Sequence, residues 1–241
     1  MKLFSKKRKA ASEVTPANLM LLNDNMPFAI REAYKSLYTN VLYLTIEDKC
    51  KKIAVTSAVS GECKSTVAVN LAISLSHNSE DKRILLIDTD MRDPDVAKIF
   101  GIDLNAPGLS EYLAGIDEKP NFVEYPDIGL TVLTAGGSNV NPTRLMGSKR
   151  MEELLKYCDE VYDYVIIDTP PLNVVTDAVL LNGHINGYII STKADYSNVN
   201  AVNKCLETLD RVGAEVFGVV LSSLKLKSAT KHYGKYGKYV K

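Results

Sequence analysis

The stretch that decides the fold reads Ile53-Ala-Val-Thr-Ser-Ala-Val-Ser-Gly-Glu-Cys-Lys-Ser-Thr-Val-Ala-Val-Asn-Leu-Ala-Ile-Ser-Leu75. Its first residues are an apolar, β-branched run typical of a buried strand, and its last residues are typical of an amphipathic helix. The loop between them contains Gly61 and ends in Lys64, Ser65 and Thr66. A strand, a tight loop and a helix in this order direct backbone N–H groups at an anion. The stretch therefore predicts a phosphate-binding loop.

Two glycines of the usual pattern, G-x-x-x-x-G-K-[ST], are replaced in this loop. Ala58 stands at the first glycine position and Cys63 at the second. If residue 63 needs a positive φ, its Cβ atom costs roughly 1 kcal/mol. Because Lys64 and the following amides remain, we expect a weakened nucleotide site and not a lost one. The residues expected to bind the nucleotide are Ser60, Gly61, Glu62, Cys63, Lys64, Ser65 and Thr66.

The length and composition of the chain fit one large α/β domain with tails. The chain has 241 residues, of which 46% are hydrophobic, so it can bury a substantial core. Its longest apolar runs are strand-sized, which is too short for a helix that crosses a bilayer. The four cysteines, at positions 50, 63, 158 and 205, lack metal-ligand spacing, and we expect reduced thiols in a cytoplasmic protein.

Positive charge is concentrated at the two ends of the chain. Residues 1–12 contain five basic and no acidic residues, and residues 225–241 contain six lysines and no acidic residue. The formal net charge of the whole chain is zero, so the body between the tails is acidic. Such tails can contact anionic lipid, another subunit or a polyanion, or can act as solubilising arms. Nucleic acid is not expected as a partner, because the body offers no basic face.

Strand-sized apolar runs alternate with helical patterns along most of the chain. Residues 84–87 and 165–167 are apolar throughout, as in parallel strands covered on both faces. The alternation predicts an α/β fold with a doubly wound, mostly parallel sheet of the P-loop NTPase type. The expected strands are 52–57, 83–88, 130–134, 164–168, 188–192 and 217–222, and the expected helices are 28–47, 66–77, 143–158, 176–182 and 197–212. We expect flexible termini, with an arm over residues 1–27, a P-loop domain over 28–224 and a tyrosine-rich tail over 225–241.

Two of the expected strands end in aspartates, at the edge where such sheets bind ligands. The second strand is followed by Asp88-Thr-Asp-Met-Arg-Asp-Pro94, and the fourth by Asp168-Thr-Pro-Pro171. A single aspartate at a strand end is often a cap or a turn former. Two aspartate motifs together with the phosphate loop favour a nucleotide site that holds Mg²⁺. Few protein oxygens suffice for this ion, and the expected ones belong to Ser65, Asp88 and Asp168.

At these residues the chain resembles the bacterial tyrosine kinases of capsule and exopolysaccharide synthesis, and the resemblance covers residues 28–241. That family reads P-G-E-G-K-S-T in its phosphate loop, where this chain reads Ser60-Gly-Glu-Cys-Lys-Ser-Thr66. The family motif D-x-D-x-R corresponds to Asp88, Asp90 and Arg92, and a later apolar run with D-x-P-P to 165–171. Two further segments match, namely Asn141-Pro-Thr-Arg-Leu-Met-Gly-Ser148 and the C-terminal His232-Tyr-Gly-Lys-Tyr-Gly-Lys-Tyr239.

The resemblance implies an ATP-dependent protein-tyrosine kinase that uses Mg²⁺. Lys64 would reach the outer phosphates, Asp88 would be the base for the tyrosine hydroxyl, and Asp90 would assist at the metal. Arg92 of the same motif would also lie at the nucleotide. A neighbouring subunit would insert its tail, so the implied phosphoacceptors are Tyr233, Tyr236 and Tyr239. Glycine and lysine between these tyrosines suit an adaptable segment that is drawn to an acidic or phosphate-rich site.

The family also has a two-component form, in which a membrane modulator is separate from the kinase. This chain resembles the kinase component. The resemblance therefore implies a membrane-anchored activator whose cytoplasmic segment binds the kinase, self-association, and protein tyrosine substrates. It also implies a cytoplasmic kinase that is peripheral at the inner face of the cell membrane.

One departure from the family lies in the first predicted helix. The family carries E-x-x-R-x-x-R there and uses it in subunit contacts, whereas this chain reads Glu32-Ala-Tyr-Lys-Ser-Leu-Tyr38. Lysine lacks the planar fork with which arginine pairs a carboxylate. Ring assembly of the family type is therefore not expected to carry over in full, although phosphorylation in trans still requires self-association.

Two alternative functions remain open at this point. A partitioning or cell-division ATPase would carry a second lysine early in the loop, where this chain has Val59. The tyrosine-rich tail also has no role in such a protein. Alternatively, Cys63 leaves a weakly active or inactive regulatory partner in polysaccharide assembly, whose tail is phosphorylated by another kinase.

Overall fold

The computed structural model describes residues 9–10, 21–44, 50–79, 81–137 and 141–223. Within these ranges the chain builds an eight-stranded sheet. Its strands are β1 (Lys9–Ala10), β2 (Lys51–Ser57), β3 (Ile84–Asp88), β4 (Val123–Tyr125), β5 (Leu130–Leu133), β6 (Tyr164–Asp168), β7 (Gly187–Lys193) and β8 (Val216–Ser222).

The strand order across the sheet is β1-β4-β5-β3-β6-β2-β7-β8. The strands from β5 to β8 in this order all pair in parallel, and β4 pairs antiparallel with β5. All five residues of β3 and of β6 are buried, which explains why both strands are apolar up to their last residue. The register pairs Asp88 with Asp168, so the carboxyl ends of β3 and β6 lie side by side.

Helices cover both faces of the sheet. Within the described ranges they are α1 (Phe28–Leu44), α2 (Lys64–Asn78), α3 (Val96–Phe100), α4 (Leu109–Leu113), α5 (Pro142–Met146), α6 (Lys149–Val161) and α7 (Val199–Arg211). Residues of α1, α2 and α3 share one apolar core, and residues of α4, α5, α6 and α7 share the other. No helix in the described part of the chain is long and apolar enough to cross a membrane.

The predicted fold class is confirmed, and the six predicted strands correspond to β2, β3, β5, β6, β7 and β8. The short elements β1, β4, α3 and α4 were not predicted. The helix expected over 143–158 is two helices, because the chain breaks at Gly147 and the Ser148 side chain caps α6. The helix expected over 176–182 is a 3-10 turn, Asp177–Leu181.

The structure describes part of the expected N-terminal arm but none of the expected C-terminal tail. Leu21 and Leu22, which belong to the arm expected over residues 1–27, are buried in the same apolar core as residues of α2. The backbone N–H of Leu22 also donates to the Asn70 side chain at 2.7 Å. The tyrosine-rich tail over 225–241 lies outside the described residues.

We expect Gly108→Ala to lower the free energy of unfolding by about 1–3 kcal/mol, because the core cannot absorb an added methyl group there. A Cβ atom on Gly108 would lie 2.4 Å from the carbonyl oxygen of Thr134 and 2.5 Å from the nitrogen of Gly136. Urea unfolding followed by circular dichroism measures the change. Gly147→Ala is the matched control, since its Cβ would meet nothing closer than 3.7 Å. Equal stability of the two variants would contradict the close packing at Gly108.

Candidate active site

The loop between β2 and α2 has the conformation of a phosphate-binding loop. Gly61 has a φ of +80°, and Cys63 has a φ of 63° and a ψ of 23°, in the left-handed region. Glycine is the residue that adopts this conformation at no steric cost, so the strain expected at Cys63 is present. Helix α2 begins at Lys64 directly after the turn, and its first residues, Lys64, Ser65 and Thr66, line a cleft of about 480 Å³.

Glu62 holds this loop from behind. Its carboxylate is fully buried, accepts a hydrogen bond from the Val59 N–H at 2.9 Å and accepts another from the Ser197 hydroxyl. The Ser191 hydroxyl donates to the backbone oxygen of Glu62 at 2.5 Å. Glu62 was expected among the nucleotide-binding residues of the loop; its side chain does not line the cleft, and its hydrogen bonds connect the loop to β7 and to Ser197 after it.

Tyr196 fixes the loop from outside. Its hydroxyl donates to the backbone oxygen of Ser60 at 3.0 Å, and the ring covers Gly61 so closely that an added Cβ would lie 3.1 Å from the Tyr196 oxygen. The Cys63 Sγ atom lies 3.7 Å from the Ser223 hydroxyl at the end of β8. Contacts from the ends of β7 and β8 therefore hold the strained turn in place.

Lys64 brings the three predicted motifs together. Its Nζ atom lies 2.8 Å from Asp90 Oδ2 and 3.7 Å from Asp168 Oδ2, and it donates to the Ser65 hydroxyl at 3.1 Å. Burial by itself would lower the pKa of Lys64, but the charges of Asp168 and Asp90 outweigh burial and raise it. Lys64 is therefore a permanent cation at the mouth of the loop.

Asp88 and Asp90 are only two residues apart, but their side chains have different environments. Asp88 is fully buried, and its two carboxylate oxygens accept the N–H groups of Asp90 and Val96 at 3.0 and 3.2 Å. Burial first, and the charge of Asp168 second, raise the pKa of Asp88 well above its usual value. Asp90 lines the cleft together with Lys64. Its Oδ1 atom accepts the N–H of Asp93 at 3.1 Å.

Asp168 has an unusual environment for a buried carboxylate. Neither of its oxygens has a hydrogen-bond partner among the described residues, although the side chain is fully buried. Burial raises the pKa of Asp168 to about 6, and the charge of Lys64 offsets part of that rise. The backbone around it is fixed, since the hydroxyl of Thr89 donates to the Asp168 carbonyl oxygen at 2.7 Å.

The donor set fits a magnesium ion that is bound together with nucleotide phosphates. The Asp168 carboxylate, which accepts no hydrogen bond among the described residues, and the Ser65 hydroxyl both lie near the Lys64 ammonium at the loop. Mg²⁺ usually takes one or two protein oxygens and fills its other positions with waters and phosphates. In the described ranges no three His, Cys, Asp or Glu residues form a metal cluster.

Arg92 lies on the cleft wall, and its guanidinium is anchored by residues outside the phosphate loop. Its Nε atom donates to Asp177 Oδ2 at 3.1 Å, and its Nη2 atom donates to the Thr143 hydroxyl at 3.3 Å. Arg92 was predicted as a nucleotide-binding residue, whereas Asp177 and Thr143 were not predicted at all. The aspartate had no distinguishing signal, since it stands at the start of a helical pattern where a capping role is common.

The remaining predicted loop residues lie together as expected. Ser60, Gly61, Cys63, Lys64, Ser65 and Thr66 all line the cleft with Asp90 and Arg92. The predicted phosphoacceptors Tyr233, Tyr236 and Tyr239 lie outside the described residues.

Comparison with known proteins supports the class that the fold and the loop indicate, a P-loop NTPase. The ParA family, described as NUBPL iron-transfer P-loop NTPase, matches residues 49–238. The kinase domain of the Escherichia coli tyrosine kinase ETK superposes with a TM-score of 0.75 at 28% identity, over 84% of this chain and 82% of that one. The chimerical protein CapA2B2 superposes with a TM-score of 0.73 at 29% identity, over 88% and 91%.

Sequence relatives are more specific. The chain is 33% identical to the tyrosine-protein kinase YwqD of Bacillus subtilis (strain 168), over 86% of each protein. It is 31% identical to the tyrosine-protein kinase CpsD of Streptococcus agalactiae, over 87% of this chain and 90% of the relative. The chain therefore belongs to the bacterial tyrosine-protein kinases, which places a protein-tyrosine kinase on a ParA-type P-loop NTPase fold.

We expect Cys63→Gly to raise the free energy of unfolding by about 1 kcal/mol, because glycine removes the Cβ atom from a left-handed backbone. The affinity for a fluorescent ATP analogue should rise severalfold for the same reason. Cys63→Ala is the matched control, since alanine keeps the Cβ atom and removes only the sulfur contact with Ser223. If the alanine and glycine variants gain equally, the sulfur and not the backbone is responsible.

We expect Asp168→Asn to raise the free energy of unfolding near pH 7.5 by about 1–3 kcal/mol. Burial raises the pKa of Asp168 to about 6, above its ordinary value of 3.8, so the folded protein holds this proton more tightly. The stability that Asp168 contributes is therefore full below pH 3.8 and is lost as the pH rises through about 6.

The measurement is urea unfolding of both proteins at pH 4.5 and 7.5. The gain from Asp168→Asn should shrink at the lower pH, and Mg²⁺-dependent nucleotide affinity should fall at pH 7.5. Asp127→Asn, at an exposed position, serves as the control. A gain that does not depend on pH would show that the ionisation of Asp168 is not its cause.

Proposed function

We propose that this chain binds Mg²⁺-ATP and transfers the γ-phosphoryl group to tyrosines in the C-terminal cluster of a second copy. The observation that carries the proposal is the meeting of Lys64 with Asp90 and Asp168 at the phosphate loop, at 2.8 and 3.7 Å. Phosphoryl transfer needs positioning and charge neutralisation more than covalent chemistry, and these residues supply both.

Lys64 and Asp90 would act in sequence. A bound polyphosphate competes with Asp90 for the Lys64 ammonium, because both are anions at the same cation. Once it is released from Lys64, Asp90, which already lines the cleft, would accept the proton of the tyrosine hydroxyl. Mg²⁺, when bound at Ser65 and Asp168, would neutralise charge on the phosphates.

This assignment moves the role of base from Asp88, where the motif placed it, to Asp90. Asp90 lines the cleft, whereas both oxygens of Asp88 accept backbone N–H groups and its side chain is fully buried. Asp88 would then act by holding Asp90 in place.

The acceptors in this proposal are Tyr233, Tyr236 and Tyr239. The tail that carries them follows β8, and Ser223 at the end of β8 contacts Cys63 of the loop at 3.7 Å. The tyrosines are spaced by glycine and lysine, and lysines suit an approach to a site that contains several carboxylates. Phosphorylation in trans requires that copies of the chain associate.

The wider role follows from the family. We propose that the kinase regulates capsular or exopolysaccharide synthesis, that a membrane-anchored activator binds it through a cytoplasmic segment, and that it works at the inner face of the membrane. The structural likeness to the chimerical protein CapA2B2 and the kinship with CpsD support this role.

Two other functions have less support. A partitioning ATPase would share the ParA-type fold, but Val59 stands where such proteins carry a second lysine. An inactive regulatory partner would follow if the loop could not form with Cys63, yet the loop is formed and clamped by Glu62 and Tyr196.

We expect Lys64→Met to reduce phosphotyrosine formation at least about 100-fold, since a buried cation at the transferred group is lost. The purified chain, residues 1–241, is incubated with Mg²⁺-ATP and the cytoplasmic segment of its activator and is probed with an antibody against phosphotyrosine. A variant with Tyr233, Tyr236 and Tyr239 all changed to Phe should lose self-labelling but still label a peptide of residues 228–241. Undiminished labelling by Lys64→Met would rule out this site as the source.

Mixing the two variants tests transfer between copies. The Lys64→Met chain keeps its tail and the triple Phe chain keeps its site, so labelling of the Lys64→Met chain in the mixture demonstrates transfer in trans. If each variant alone and the mixture all remain unlabelled while the wild type labels itself, transfer occurs within one copy.

A further inference from the structure

Asp177 joins three loops at the carboxyl edge of the sheet. It begins the 3-10 turn that follows β6, while Arg92 lies in the loop after β3 and Thr143 in the first turn of α5, after β5. Asp177 Oδ2 accepts the Arg92 Nε–H at 3.1 Å, and Asp177 Oδ1 accepts the Thr143 hydroxyl at 2.5 Å. A third hydrogen bond, donated by Arg92 Nη2 to the Thr143 hydroxyl at 3.3 Å, completes a triangle of the three side chains.

Asp177 and Arg92 are buried to different degrees, and this difference indicates that Asp177 orients Arg92. The Asp177 side chain is 1% exposed, whereas the Arg92 side chain is 43% exposed and lines the cleft that holds the phosphate loop. Both Asp177 oxygens are used within the triangle. A buried carboxylate with fixed partners holds a guanidinium in one orientation, because moving the guanidinium would leave the carboxylate unpaired.

Arg92 is also tied to the reacting residues through its backbone. Its N–H donates to Asp90 Oδ1 at 3.3 Å, and Asp90 Oδ2 pairs with Lys64. The anchoring of the Arg92 side chain thus fixes the same short turn that presents Asp90. The two side-chain contacts use Nε and Nη2 but not Nη1, and the Arg92 side chain, 43% exposed, lines the cleft.

We propose that Asp177 is a positioning residue for phosphoryl transfer, which holds the Arg92 guanidinium on the cleft wall as a fixed cation for the transferring phosphoryl group. Thr143 is its second anchor. The inference rests on the proposed phosphoryl transfer and adds to it a residue that touches neither nucleotide nor acceptor. A cation that is pre-oriented toward charge developing in the transition state raises kcat more than it lowers KM.

The test compares wild type, Asp177→Asn, Arg92→Gln and the double variant, all as full-length chains. The acceptor is a synthetic peptide of residues 228–241, and kcat and KM for ATP are measured separately. Each single variant should lose about 10- to 100-fold in kcat with KM for ATP changed less than about threefold. The double variant should lose no more than Arg92→Gln alone, because Asp177 acts through Arg92.

A second measurement does not require turnover. ADP with aluminium fluoride imitates the transferring phosphoryl group, and wild type should bind it more tightly than ADP alone. Asp177→Asn should lose most of this preference while its affinity for ADP stays within about threefold of wild type. Thr143→Val removes the second anchor and should show the same pattern to a smaller degree. This variant keeps the inference testable if Asp177→Asn does not fold.

Asp210→Asn is the matched control, since it removes an exposed carboxylate at the end of α7 and should behave as wild type. Losses that multiply in the double variant, or an Asp177→Asn chain with unchanged kcat and unchanged preference, would overturn the inference alone. A wild type that neither labels the peptide nor prefers the aluminium fluoride complex would overturn the proposed function and the inference with it.

Discussion

The ammonium group of Lys64 is the charge on which the site depends. Asp88, Asp90 and Asp168 are at most 2% exposed and lie at the ends of two adjacent strands. Burying carboxylates without a cation costs several kcal/mol per ion, and Lys64 offsets part of that cost from the first turn of α2. The cation can be there only because the loop turns tightly after β2, so the loop conformation and the burial of the acids depend on each other.

This dependence explains how the loop tolerates the absence of its usual glycines. The left-handed conformation of Cys63 is retained although it is strained, because the Glu62 carboxylate, the Tyr196 hydroxyl and the end of β7 hold the loop on both sides. Strained backbone persists where surrounding contacts over-determine it. The clamp lies away from the cleft wall, so stability of the loop and contact with ligand are divided between different side chains.

The sequence predicted the sheet and the acids at its edge because both leave local signals. An apolar run identifies a buried strand, and the parallel register then brings Asp88 beside Asp168. The Ser148 cap that divides α5 from α6 also has a local signal, a serine directly before a helical pattern. Asp177 could not be found in this way. Its partner Arg92 is 85 residues distant, and only the folded sheet places their loops together.

Some of the contacts that stabilise the site must be exchanged when a nucleotide binds. Lys64 and Asp90 form a pair at 2.8 Å that a polyphosphate must displace, whereas the Asp168 carboxylate accepts no hydrogen bond among the described residues and has Lys64 as a more distant cation at 3.7 Å. Nucleotide binding therefore costs an ion pair, and a Mg²⁺ ion bound with it would offset that cost by giving the buried Asp168 carboxylate a direct ligand. In the proposed reaction, Asp90 would become available as a base only after that exchange, so deprotonation of the acceptor would be coupled to occupation of the loop. The ion pair with Lys64 would then keep the proposed base occupied until the phosphoryl donor is in place.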